Sequence, residues 1–274
     1  MATAQSAIAV GTSGEGRPTL LLPGFATPGT AYASTTEALG SGRAYHFVTY
    51  AGTDGVPAVD TPFYAAVREA LLDYVEARDL RDLDVIGHSM GGNLAVELAA
   101  ALPERVARVV ILDALPCMRT VHDEMGEGPR FGVQGVPAEA IRYDAPQTLG
   151  MLAMPEEAVR ASNRQMVSGM TSDTARQREL ADYFDGTDRA TFVFGYTDLL
   201  RLDLRPLLPA VSAPVTVLAS PSFGAETVTA NMDAQYAALP DYTLHVAPSG
   251  GHYLMWDAAD WTGARLAEAL PLDD

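Results

Sequence analysis

A serine between two glycines is the feature of this sequence best suited to do chemistry. Gly87, Ser89 and Gly91 form the pattern Gly-x-Ser-x-Gly, with mostly apolar residues at 83–86 before it and a helical pattern after it. This arrangement is typical of a sharp strand-to-helix turn that exposes a serine hydroxyl. Small neighbours prevent clashes around a strained backbone, and the positive N-terminus of the helix attracts any anion formed there. The pattern therefore predicts that Ser89 is a nucleophile.

A serine hydroxyl is a weak nucleophile unless a general base lies beside it. The chain offers five histidines. His88 is next to Ser89, but adjacent side chains point apart, so we expect it to pack or bond locally. His46 and His245 fall in strand patterns and are expected to be structural, while His122 could contact a substrate or face solvent. His252 follows a strand pattern and a Gly-Gly turn and precedes the last helical pattern, which makes it the candidate base.

The elements that must position these residues alternate between strands and helices. Strand patterns cover residues 19–22, 45–50, 83–86, 106–112, 214–219 and 242–246. Helical patterns cover residues 32–39, 61–78, 91–101, 229–238 and 256–270, and residues 11–17 are turn-like. The alternation predicts an α/β fold with a doubly wound, mostly parallel sheet and helices on both faces.

The alternation stops between about residues 115 and 208. Several segments there are helical in pattern, including 155–170 and 174–184, and methionines are concentrated among them. We expect a helical cap of residues 115–208 inserted into one core domain formed by residues 1–114 and 209–274. Its methionines either fill an irregular helical core or line an apolar pocket.

In the order and spacing of its motifs the chain resembles the α/β-hydrolase fold family. The motifs are Leu-Leu-Leu-Pro-Gly-Phe at 20–25, Gly-His-Ser-Met-Gly-Gly at 87–92, Val-Val-Ile-Leu-Asp at 109–113 and Ser-Gly-Gly-His at 249–252. The resemblance covers nearly all of the chain outside the insertion. The family's chain order is serine, acid, histidine. It implies that Ser89 is the nucleophile and His252 the general base.

The resemblance leaves the acid of this triad open. The acid orients the imidazole and stabilises the imidazolium. Most relatives carry an Asp in the loop after the strand equivalent to 214–219, but here that loop contains Glu226 and no Asp. Other members place the acid one strand earlier, where Asp113 stands. Asp113 is the preferred candidate, and Glu226 or a site without an effective acid are the alternatives.

The resemblance also implies an oxyanion hole, which needs two backbone N–H groups aimed at the developing negative charge. Met90, the residue after the nucleophile, would supply one. Phe25, after Pro23 and Gly24, would supply the other. Many relatives have His-Gly where this chain has Pro-Gly, but the position occupied by Pro23 is not the expected donor.

Composition limits the classes of function. The chain has 274 residues, 48% of them apolar, and 18 basic against 35 acidic residues give a net charge of −17. This balance argues against nucleic-acid binding. Cys117 is the single cysteine, so no internal disulfide or zinc-binding cysteine cluster is possible. We expect no metal, no cofactor and no membrane span. We also expect a cytoplasmic location, although removal of an export signal would leave a similar sequence.

These observations predict a serine hydrolase that cleaves a small or medium carboxylic ester or thioester. Its partner would be a small-molecule acyl substrate, and its oligomeric state stays open. Carbon–carbon hydrolysis, thioester cleavage in biosynthesis and cyclisation are alternatives on the same fold, because a fold does not determine a reaction. A non-catalytic protein that binds a small molecule is a further alternative.

Overall fold

A computed structural model describes residues 6–118 and 138–272. These residues contain one seven-stranded sheet in the order β1-β3-β2-β4-β5-β6-β7. The strands are β1 (Ile8–Ser13), β2 (Arg17–Leu22), β3 (Arg43–Tyr50), β4 (Leu83–His88), β5 (Val106–Leu112), β6 (Val215–Ala219) and β7 (Tyr242–Val246). β1 pairs antiparallel with β3, and every other pair is parallel. The predicted mostly parallel α/β sheet is confirmed.

The helices divide into two groups. Those associated with the sheet are α1 (Ala33–Leu39), α2 (Phe63–Ala77), α3 (Met90–Ala101), α8 (Ala225–Tyr236), α9 (Leu254–Asp257) and α10 (Ala259–Ala269). Those between β5 and β6 are α4 (Pro146–Leu152), α5 (Glu156–Ser168), α6 (Thr174–Gly186) and α7 (Arg189–Arg201). Short 3-10 helices cover Gly29–Tyr32, Ala138–Ala140 and Arg205–Ala210.

The central strands are buried on both faces, as a parallel sheet covered by helices requires. Side chains alternate between the faces of a strand. In β2, Leu20 and Leu22 therefore join one apolar cluster, with residues of α2 and α3, while Leu21 joins a second cluster with Leu266 of α10. All six residues of β4 are buried, which places the end of this strand, and the serine after it, on a rigid support.

The insertion between β5 and β6 is helical in its described part, so the predicted helical insertion is confirmed. The boundaries expected at residues 115 and 208 stay a prediction. Residues 119–137, which include His122, lie outside the described residues.

Two sequence interpretations were wrong. Residues 11–17 are not one turn: β1 extends to Ser13, β2 begins at Arg17, and only 14–16 connect them. Gly14 and Gly16 have φ of 74° and 117°, so the two glycines supply the reversal. The edge strand β1 is largely exposed, and its apolar residues stand together at 8–10 without alternating with polar ones, so no alternation marked it. The single helix expected at 256–270 is instead α9 and α10, which are separated by the non-helical backbone of Ala258 (φ −131°, ψ 47°).

A buried charge cluster lies on β2 to β5. The carboxylate of Asp84 is inaccessible to solvent and contacts three guanidinium groups: Arg43 at 2.7 Å, Arg108 at 2.9 Å and Arg17 at 3.2 Å. The guanidinium groups of Arg43 and Arg108 also donate to the carbonyl oxygens of Leu270 and Pro271. Buried ions are tolerated only when they are paired and hydrogen-bonded, and these contacts join the sheet to the segment after α10.

Candidate active site

The expected nucleophile sits at a strained turn. Ser89 lies between the end of β4 and the start of α3, with φ 51° and ψ −121°. A non-glycine residue with positive φ is strained, and such residues cluster at functional sites. The amide of Ser89 donates to the carbonyl oxygen of Leu112 at 3.0 Å, which joins the turn to the end of β5. We call residues 87–91 the nucleophile elbow.

The two glycines of the elbow are required by close backbone approach. A Cβ on Gly91 would lie 1.9 Å from the carbonyl oxygen of Leu22, and a Cβ on Gly87 would lie 2.2 Å from the carbonyl oxygen of Gly91. Neither backbone atom can yield as a flexible side chain would. The Gly-x-Ser-x-Gly spacing therefore has a steric cause that is independent of any catalytic role.

Asp113 and His252 are brought together by the sheet. Asp113 directly follows β5, with φ 48°, and its amide donates to the carbonyl oxygen of Leu218. One carboxylate oxygen lies 2.7 Å from Nδ1 of His252, and the other accepts the amide of Ser220 at 2.8 Å. A carboxylate can only accept a hydrogen bond, so Nδ1 of His252 carries the proton. Nε2 is then the nitrogen that can accept a proton. The side chains are partly covered, with exposures of 16% and 27%.

Glu226, the alternative acid, lies elsewhere. It is exposed in the first turn of α8, and the described residues include no hydrogen bond between it and His252. The structure thus places the carboxylate of Asp113, and not that of Glu226, against the imidazole.

His88 connects the elbow to the loop that carries His252. Its Nε2–H donates to the carbonyl oxygen of His252 at 2.9 Å, and the centroids of the two rings are 4.5 Å apart. In the described part of the chain, no hydrogen bond joins the hydroxyl of Ser89 to the ring of His252. Bonds of this kind are often long in unliganded enzymes and tighten with substrate. His88 was expected to pack or bond locally. It packs against the rings of His252 and Tyr253, but its hydrogen bond joins residues 164 positions apart.

The ring of His88 is neutral. Burial lowers its pKa well below the usual value, and the nearby imidazole of His252 lowers it further. A neutral ring with Nε2 protonated can donate to one carbonyl and nothing more. Two other histidines lie in strands as expected: Nδ1 of His46 in β3 is 2.7 Å from the hydroxyl of Tyr74, and His245 lies in β7.

The two expected oxyanion donors, Phe25 and Met90, follow the ends of the neighbouring strands β2 and β4. Met90 is the first residue of α3, where backbone amides have no intrahelical acceptor. Phe25 lies in the turn after β2, which we call the β2 turn (residues 23–27). Gly24 brings this turn against the elbow, because a Cβ at Gly24 would be 3.5 Å from Cβ of Ser89.

The inserted helices reach the β2 turn through aromatic side chains. The ring of Phe25 packs edge-on against Phe63 of α2, with centroids 5.7 Å apart, and in a tilted arrangement against Phe192 of α7, with centroids 5.4 Å apart. A Cβ on Gly195 of α7 would lie 2.7 Å from the ring of Phe25. The part of the insertion formed by α7 therefore packs tightly over the turn that carries one expected oxyanion donor.

Asp257 anchors the loop of His252 and was missed by sequence reasoning. Its carboxylate accepts the amide of Gly251 at 2.7 Å and the hydroxyl of Thr171 at 2.6 Å, and it also accepts the amide of Ser172. The partners at 171–172 belong to the link between α5 and α6, 85 or more positions away in sequence. No local pattern marks such a contact.

Metal binding and membrane insertion find no support among the described residues. Among them, no group of three or more His, Cys, Asp or Glu side chains is arranged to hold a metal ion. Within the same residues, no helix has the length and apolar character needed to cross a membrane.

Comparison with known proteins identifies the family of the chain. The model of the alpha/beta hydrolase family matches residues 19–265, and the chain belongs to that family. N-formylmaleamate deformylase from Pseudomonas putida is 24% identical over 278 residues, which cover 94% of this chain and 90% of that protein. A serine hydrolase-like protein from Danio rerio is 39% identical over 84 residues, which cover 30% of this chain and only 23% of that protein.

Solved structures share the fold. An esterase from Exiguobacterium antarcticum superposes with a TM-score of 0.77 at 16% identity, and the match covers 95% of this chain and 94% of that one. Identity at this level supports the fold and does not fix a substrate. The class of protein is therefore a hydrolase of the alpha/beta family.

Proposed function

We propose that this protein is a serine hydrolase that cleaves a carboxylic ester or thioester of a small acyl substrate. Ser89 would be the nucleophile, His252 the general base and Asp113 the acid that orients it. The observation that supports this most directly is the 2.7 Å contact between Asp113 and Nδ1 of His252, beside the strained elbow that holds Ser89.

The proposed reaction has two halves. Ser89 attacks the carbonyl carbon while Nε2 of His252 takes the hydroxyl proton, and the same nitrogen then protonates the leaving alcohol or thiol. Water, deprotonated by His252, attacks the acyl-enzyme and releases the acid. In both halves the amides of Met90 and Phe25 would stabilise the oxyanion, a contribution worth about 10²–10³ in kcat for one donor.

The relatives support a hydrolytic reaction, but their names refer to the cleavage of different bonds. The structural neighbour from Exiguobacterium antarcticum is an esterase, whereas the relative from Pseudomonas putida is a deformylase of N-formylmaleamate. We favour an ester or thioester because such bonds need least help for the leaving group to depart. The net charge of −17 also makes a polyanionic substrate unfavourable.

A fluorophosphonate probe tests the proposal, because only an activated serine reacts with it quickly. The wild-type protein should be labelled at Ser89. The Ser89→Ala variant should not be labelled, and the Ser168→Ala variant, which lacks an exposed hydroxyl on α5, should be labelled like the wild type. Rates of hydrolysis of p-nitrophenyl esters of rising chain length, compared with the rate for an N-formyl amide, would then show which bond the protein cleaves. Absence of labelling in the wild type would contradict the proposed function.

A further inference from the structure

Thr27 holds the β2 turn through two hydrogen bonds. Its amide donates to the carbonyl oxygen of Gly24 at 3.2 Å, and its hydroxyl lies 3.2 Å from the carbonyl oxygen of Phe25. In a trans peptide the C=O and N–H groups point in opposite directions. Because the carbonyl of Gly24 is directed at Thr27, the N–H of Phe25 in the same peptide is directed to the opposite side. Thr27 therefore sets the direction of the amide expected to bind the oxyanion.

Tyr253 extends this arrangement to the loop of the proposed base. Its hydroxyl oxygen is 2.9 Å from Oγ1 of Thr27, and both residues are almost completely buried. The carbonyl of Phe25 can only accept, so the single proton of the Thr27 hydroxyl goes to it. The hydroxyl of Tyr253 must then donate to Thr27. The result is a directed chain of hydrogen bonds from Tyr253 through Thr27 to Phe25.

The hydroxyl of Tyr253 has a fixed position. Tyr253 directly follows His252 in sequence, and its amide donates to the carbonyl oxygen of Met170 at 3.2 Å. Its ring stacks on Trp256 with centroids 4.5 Å apart and an interplanar angle of 13°, and it also lies 4.5 Å from the ring of His88. Because the rings of Trp256 and His88 both pack against it, the side chain of Tyr253 has little freedom to move away from Thr27.

We infer that Tyr253 and Thr27 are positioning residues that couple the amide of Phe25 to the loop of His252. This chain of hydrogen bonds keeps the oxyanion donor and the general base in one relative placement, although Thr27 and Tyr253 are 226 positions apart in sequence. This inference rests on the proposed function, since it assigns the two residues a role in the same reaction. Neither residue would touch the substrate.

The expected effects follow from how strictly an oxyanion donor must be aimed. Loss of a whole donor lowers kcat by about 10²–10³. Removal of the Thr27 hydroxyl keeps the backbone bond to Gly24 but releases the carbonyl of Phe25, so the turn is held by one bond instead of two and the donor loses part of its aim. We expect Thr27→Val, which keeps the shape and removes the hydroxyl, to lower kcat by about 10- to 100-fold. Tyr253→Phe should lower kcat by about 10-fold, and Thr27→Ser should stay near wild type. KM should change little, because ground-state binding does not use the oxyanion donor.

The experiment compares these variants with a matched control. Thr148→Val also removes a buried threonine hydroxyl that donates to a backbone carbonyl, that of Arg142 at 2.8 Å, but it lies on α4. For each protein, kcat, KM, the melting temperature and the inhibition constant of a trifluoromethyl ketone are measured, since this ketone forms an anionic adduct with an active serine. We expect kcat and ketone affinity to fall together in Thr27→Val and Tyr253→Phe alone. The double variant should be no slower than Thr27→Val, because members of one chain are not additive.

Three outcomes would overturn the coupling. The first is that both variants match Thr148→Val in kcat and ketone affinity and differ only in melting temperature. The second is that Thr27→Ser is as slow as Thr27→Val. The third is strict additivity in the double variant. If Thr27→Val does not fold, Tyr253→Phe carries the test alone, because it removes one oxygen atom. Failure of the proposed function looks different: the wild type itself would not react with a fluorophosphonate.

Discussion

The carboxylate of Asp113 accepts a hydrogen bond from Nδ1 of His252 at 2.7 Å, across 139 residues of sequence. Asp113 directly follows β5 and His252 follows β7, and the sheet order places β6 between these strands. The loop after β6 still takes part, because the amide of Ser220 donates to the second oxygen of Asp113. That amide lies where most relatives are expected to carry the acid itself.

This geometry predicts that Asp113→Asn is far more damaging than Glu226→Gln. An amide can present its own N–H to Nδ1 and so favour the wrong tautomer of His252, which lowers kcat by roughly 10³–10⁴ in comparable triads. Steady-state kinetics of both variants on one p-nitrophenyl ester would measure this. If Asp113→Asn lowered kcat only slightly and Glu226→Gln lowered it strongly, the acid would instead be Glu226 in α8.

His88 makes the stability of the fold sensitive to acid. Its folded-state pKa lies well below the usual 6.5, mainly because of burial and then because of His252. In the unfolded chain the ring gains a proton below about pH 6.5, and in the folded protein it does not. Stability is therefore lost as the pH falls below about 6.5, by up to about 1.4 kcal/mol per pH unit.

The His88→Gln variant isolates this effect. An amide N–H can replace the donor to the carbonyl oxygen of His252, but it does not titrate. We expect the melting temperature of the wild type to fall more steeply between pH 6.5 and pH 5 than that of the variant. Parallel pH profiles would mean that His88 is protonated in the folded protein.

Gly91→Ala should prevent the elbow from forming. The added Cβ would lie 1.9 Å from the carbonyl oxygen of Leu22, so a buried strand would have to move. Gly150→Ala is the matched control, because nothing lies within 4 Å of its added Cβ and alanine favours a helix by about 0.5–1 kcal/mol. Urea denaturation should show a loss of several kcal/mol for Gly91→Ala and a small gain for Gly150→Ala. A folded, fully stable Gly91→Ala would refute the steric argument.

Asp84→Asn should be strongly destabilising. The change leaves three guanidinium groups around a neutral side chain at a buried position, and breaking a buried ion pair typically costs about 3–5 kcal/mol. Asp79→Asn also removes a carboxylate that contacts two arginines, Arg81 and Arg105, but at an exposed site. Chemical denaturation should therefore separate the two variants clearly. Equal, small effects would show that the arginines of the cluster find other partners.

Local pattern was sufficient for the central elements. The bounds predicted for β5 and β7 agree with the structure, because both are short runs rich in β-branched or aromatic residues that stop before turn-like residues. The elbow was recognisable because its steric demands appear as two glycines at fixed spacing. Edge strand β1 was not recognisable, because its residues are mostly exposed and its pairing partner, β3, is distant in sequence.

The supporting contacts of the site were beyond sequence reasoning for a different reason. The bonds made by His88, Thr27 and Asp257 each join residues more than 80 positions apart, and their residue types are common in any chain. The choice between Asp113 and Glu226 likewise depended on which strand end lies within reach of His252, a distance that only the assembled sheet defines.

The carboxylate of Asp257 has a consequence for how a substrate could enter. It holds the amide of Gly251, beside the proposed base, and residues 171–172 of the insertion at the same time. If the link between α5 and α6 swung outward with these bonds intact, it would drag Gly251 along and withdraw His252 from Asp113. A substrate that entered on that side would meet Ser89 without a correctly oriented base. Entry elsewhere along the insertion would leave the proposed base in place, so the bonds of Asp257 would disfavour entry on the side of residues 171–172.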